Sequence, residues 1–152
     1  NDFSRYLWRK EMIENNKLIK EVLNTIIDIS GRKTTQSHAV YLLESTLKNL
    51  KNQYTFLDTI NVQDTTYLED GEPVSIMGEV NNITSKEIGI AVKDLITTLY
   101  QSLGEDAGHF FLKELSHKLN DESVDALKNI GVDLDIMHLE QQITKMEKNI
   151  FK

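Results

Sequence analysis

Trp8, Met12, Ile19, Val22, Ile26 and Ile29 follow one another at steps of three, four or seven residues. That spacing puts them on one stripe of a long amphipathic helix. The same step places Asn15 inside the stripe or at its edge, and a polar residue in an apolar seam can set register or oligomeric state. Gly31 after Ser30 predicts a left-handed C-terminal stop. From Gln36 the pattern resumes with Val40, Leu43, Leu47, Leu50 and Tyr54, which predicts a second helix. A short connection makes sequential helices neighbours, so the two form an antiparallel hairpin.

Beyond Tyr54 the period shortens. Phe56, Ile60 and Val62, then Val74, Ile76 and Val80, are separated by two or four residues, as in half-buried strands. Glu69-Asp70-Gly71-Glu72-Pro73 combines an Asp-Gly turn former with a proline that suits a strand edge or start. Thr65–Leu68 and Val74–Val80 are therefore expected to pair as a hairpin in a three-stranded antiparallel meander, with a bulge at Gly78.

Helical periodicity then returns for the rest of the chain. Thr84-Ser85-Lys86-Glu87 has the form of a capping box ahead of Ile88, Val92, Leu95, Ile96, Leu99 and Leu103, which end at Gly104. A helix from Glu105-Asp106 carries Phe111, Leu112, Leu115 and Leu119, and a short one with Val124 and Leu127 stops at Gly131. The last begins near Asp133 or Asp135 and carries a heptad seam of Ile136, Leu139, Ile143, Met146 and Ile150. The expected fold is mainly α, of the α+β class: a helical hairpin (1–54), a β-meander (55–81) and a four-helix segment (84–152) in a single domain. The hairpin either packs on the rest or projects as a dimerisation arm.

Composition narrows the chemistry. The 152 residues contain no cysteine, which excludes disulfides and thiolate metal sites and gives no support to an oxidising compartment, so a cytoplasmic setting is expected. No apolar run reaches membrane-span length, so no membrane insertion is expected. The net charge of −7 is uneven: residues 1–53 carry nine basic and six acidic groups, while 54–110 carry two and ten. Only Arg9-Lys10 and Arg32-Lys33 cluster positive charge, which argues against nucleic acid as a partner. No phosphate loop, nucleophile elbow, zinc-protease motif or calcium loop occurs, and His38 lacks the neighbours of a phosphotransfer histidine.

What chemistry remains lies on the helix after Gly104. Asp106 and His109, then Glu114 and His117, each repeat a carboxylate-to-imidazole step of three residues, which shares a helical face. His109 and His117 are eight residues apart, about 80° around the axis, so they do not converge on one metal. Gly89 and Gly108 inside helices point to close approach of a neighbouring element or a ligand, because glycine there costs about 1 kcal/mol against alanine. Two readings follow. The first is a non-enzymatic regulatory or protein-interaction module that self-associates, as a homodimer, through seams at Trp8, Met12, Ile19, Ile136, Leu139 and Ile143, with a homo-oligomer or another protein as the expected partner. The second is a small-ligand or metal sensor with a pocket between the meander and helix 105–119, lined by Gly108, Phe110, Glu114, His109 and His117. No particular cofactor is implied.

Overall fold

Leu18, Leu23 and Ile27 stand beside Ile19, Val22, Ile26 and Ile29 on the first helix, and all seven are buried. Apolar positions covering that much of a helix need neighbours on several sides. In the computed structural model they have them: α1 (Asn15–Lys33) packs against most of the other elements of the protein. The structure describes residues 13–69 and 71–150, with the backbone alone at 105, 106 and 109. Among them are α2 (Gln36–Leu50), β1 (Ile60–Val62), β2 (Val74–Ile76), α3 (Ser85–Ser102), α4 (Glu105–Lys118), α5 (Asp121–Asn129) and α6 (Leu134–Ile150).

Only Thr34 and Thr35 separate α1 from α2, so the helices fold back on one another. The Thr35 hydroxyl caps α2 by accepting from the His38 backbone N–H at 3.1 Å. Gly31 does not stop α1, which continues in helical geometry to Lys33, while Thr34 returns its hydroxyl to the Ser30 carbonyl at 3.0 Å. Left-handed glycines appear instead at Gly104 and Gly131, ending the third helix and closing the turn after α5. The hairpin is no projecting arm, because α1 also contacts α4, α5, β2 and the 3-10 turn Gly78–Asn82.

The expected three-stranded meander is a two-stranded antiparallel sheet, with Ile60 opposite Ile76 and Val62 opposite Val74. Thr65–Leu68 forms no strand because its backbone is engaged elsewhere. Gln36 Oε1 accepts from the Thr65 N–H at 2.8 Å, and Asp64 accepts from the Thr66 N–H at 3.0 Å in a local Asx turn. Gly78 likewise opens the 3-10 turn rather than a bulge. That turn is clamped by Asn15, whose amide donates to the carbonyls of Val80 and Ile83 at 3.3 and 3.0 Å. The residue that interrupts the apolar stripe thus ties the start of α1 to the chain entering α3.

Polar staples complete the packing around α1. Glu21 accepts from the Ser123 hydroxyl at 2.7 Å and the Asn120 N–H at 3.4 Å, setting a carboxylate at the N-terminus of α5, where the helix dipole favours it. Tyr54 donates its hydroxyl to Asp94 at 2.5 Å, joining the end of α2 to α3. This bond, aided by partial burial and by the carboxylate charge, raises the Tyr54 pKa above its ordinary value. A raised phenol pKa contributes stability that is complete below about pH 10 and lost as pH climbs through the folded value.

Two predictions follow from these contacts. A Cβ at Gly89 would lie 1.9 Å from the Ile130 carbonyl oxygen, so Gly89→Ala forces α3 away from the turn after α5. Despite about 1 kcal/mol of better helix propensity, the variant is expected to lose about 1–3 kcal/mol net in denaturant unfolding. Tyr54→Phe is expected to lower stability at neutral pH by about 1 kcal/mol and to remove part of the alkaline loss, measured as unfolding midpoints from pH 7 to 11.

Candidate functional site

Of the residues expected to line a sensor pocket, Gly108, Phe110, Glu114 and His117 have other partners or face outward. Gly108 is buried at a crossing of backbones: a Cβ there would meet the Tyr100 carbonyl oxygen at 2.5 Å and Gln141 Nε2 at 3.3 Å. Its missing side chain serves helix packing. Glu114 pairs with Lys33 at 3.1 Å and with Arg32 at 3.8 Å, which ties α4 to the end of α1. Phe110 is largely exposed, with the Lys33 ammonium 6.0 Å from its ring centre. The His109 side chain lies outside the described residues.

His117 is exposed at the rim of a small cleft of about 180 Å³, which Leu112 and Ser116 of α4 share with Asp135 and His138 of α6. No group of three or more His, Asp or Glu side chains among the described residues is placed to hold a metal ion. The sheet contributes to none of these surroundings. Strand β2 packs on α1 and β1 on α2, whereas α4 packs on α6, α3 and α1.

Two larger depressions are lined mainly by residues with polar or charged side chains. One, of about 460 Å³, follows the outer face of α1 past Lys17, Asn24 and Lys118, where Lys20 pairs with Glu72 and Lys118 with Asp28. The other, of about 520 Å³, separates Tyr100 and Gln101 of α3 from Gln141, Lys145 and Lys148 of α6.

The surface feature with a pattern is on α6. Ile136, Leu139, Ile143, Met146 and Ile150 are 47% to 72% exposed, at steps of three and four residues. At 100° per residue the stripe lies about 180° around the helix from Leu134, Met137 and Gln141, the side turned toward the protein. It runs about 21 Å at 1.5 Å per residue. Elsewhere the exposed apolar side chains, such as Tyr41, Tyr67, Met77 and Ile90, are scattered over separate elements.

Of the interface residues expected from sequence, Ile136, Leu139 and Ile143 therefore stand open to solvent. Ile19 is buried in the core of α1 and has no surface left to offer a partner. Trp8 and Met12 lie outside the described residues. No helix among the described residues is long and apolar enough to cross a membrane. No protein-family model, curated protein or solved structure matches the chain.

Proposed function

We propose that the chain is a non-enzymatic protein-interaction module whose working surface is the outer stripe of α6, and that its occupant is an amphipathic helix. One observation carries the reading: a seam of five apolar residues at heptad spacing lies on the face of α6 turned away from its own core. A contiguous exposed apolar patch of this kind marks an interaction site far more than scattered single residues do. The period specifies the occupant's shape, because a 3.5-residue repeat keeps its seam facing a second helix through knobs-into-holes packing. A sheet edge or a flat loop surface would not call for it. Ile19 does not take part, since the stripe of α1 from Leu18 to Ile29 is consumed by folding.

Leu139→Gln with Ile143→Gln separates this role from a structural one. Both positions are exposed and glutamine is a good helix former, so the folding free energy should change by no more than about 0.5 kcal/mol. A synthetic helix with apolar a and d positions and glutamine flanks is expected to gain helical circular dichroism on mixing with the native chain, and none with the double variant. An unchanged signal with the variant, or a large loss of folding stability, would contradict the proposal.

A further inference from the structure

The stripe on α6 has an asymmetric charge environment. With Ile136, Ile143 and Ile150 as a positions and Leu139 and Met146 as d positions, the flanking e positions are Glu140 and Glu147. The g positions are Asp135, Gln142 and Asn149. Asp135, Glu140 and Glu147 are exposed, so the e and g positions of the seam carry three negative charges and no positive one, with Lys113 of α4 lining the small cleft beside Asp135. The lysines of the same helix segment, Lys145 and Lys148, fall on the opposite half and line the cleft facing Tyr100 and Gln101, which Glu140 also borders.

Flanking charges set partner choice in paired helices, where like charges across the seam are unfavourable. A second copy of the chain would repeat the acids. In a parallel pair Asp135 meets Glu140 of the other copy, because g pairs with the following e. In an antiparallel pair the e positions meet, bringing Glu140 opposite Glu147. Each chain also carries a net charge of −7. A bilayer surface is a poor fit for the same reason, since helices that lie in anionic interfaces carry Lys and Arg beside their apolar face.

From this pattern we infer that the α6 surface takes a basic amphipathic helix of another protein, with an apolar heptad seam flanked by Lys or Arg. The inference rests on the helix-docking reading above and adds the partner's charge. Glu140 and Glu147 are its specificity determinants on one side, and Asp135 on the other. Binding should weaken with salt, because these pairs are exposed and screened.

The test uses the full chain and two synthetic three-heptad peptides with the same apolar seam, one with Lys and one with Glu at e and g. Fluorescence anisotropy in about 50 mM salt is expected to show the Lys peptide binding at least about tenfold tighter. Glu140→Lys with Glu147→Lys should reverse the preference, and Leu139→Gln with Ile143→Gln should abolish both signals. Equal affinity for the two peptides would overturn the inference and leave helix docking standing, as would a sedimentation dimer dispersed by the Gln variant. Failure of both peptides to bind, or partition onto anionic phosphatidylserine vesicles that the Gln variant loses, would overturn both.

Discussion

Burial of α1 is the constraint on which the remaining structure depends. Seven buried apolar side chains on one helix require cover from several directions. That cover is assembled from α2, α3, α4, α5, β2 and the 3-10 turn at Gly78–Asn82. The polar groups of α1 then register the layers they reach: Asn15 holds the 3-10 turn, and Glu21 holds the start of α5. Asp28 and the Arg32-Lys33 pair reach Lys118 and Glu114 of α4. The ion pairs are exposed, and surface pairs contribute roughly 0–1 kcal/mol each, so their main effect is to fix orientation around an apolar centre.

The two ends of the chain show how one sequence pattern serves two purposes. Both α1 and α6 carry heptad-spaced seams, and the difference lies in what stands beside them. On α1 the seam is widened by Leu18, Leu23 and Ile27 into an apolar face of about 180°, so half of the helix prefers protein to water. On α6 the side turned inward is apolar only at Leu134 and Met137, then becomes Gln141, Lys145 and Lys148. The first turns of α6 anchor it to the body, and the outer seam is left exposed among the described residues.

Much of the helical architecture is legible in the residues, because periodicity over three or more turns is a strong local signal. Thr84 capping at Glu87 and the stops at Gly104 and Gly131 match the capping pattern and glycine punctuation of the sequence, whereas Gly31 shows that a glycine alone does not end a helix. The sheet was harder to read, since strands of three residues show too few alternations and Thr65 is captured by Gln36, 29 positions away. Long-range partners also explain the expected pocket residues. Nothing local marks Glu114 as the partner of Arg32 and Lys33, or Gly108 as the seat of the Tyr100 carbonyl. The stripe on α6 was visible as a seam, but its exposure required knowing that α4 takes the opposite face.

The central claim is that this seam stands open to solvent in the free chain. Because the chain has no cysteine, a single Ile143→Cys substitution gives a clean reporter, and its rate of alkylation by a small maleimide measures access directly. The account predicts a rate close to that of an unstructured cysteine peptide, with Ile26→Cys in the core of α1 slower by orders of magnitude. Protection of the thiol at 143 comparable to that at 26, in the dilute native chain, would contradict it.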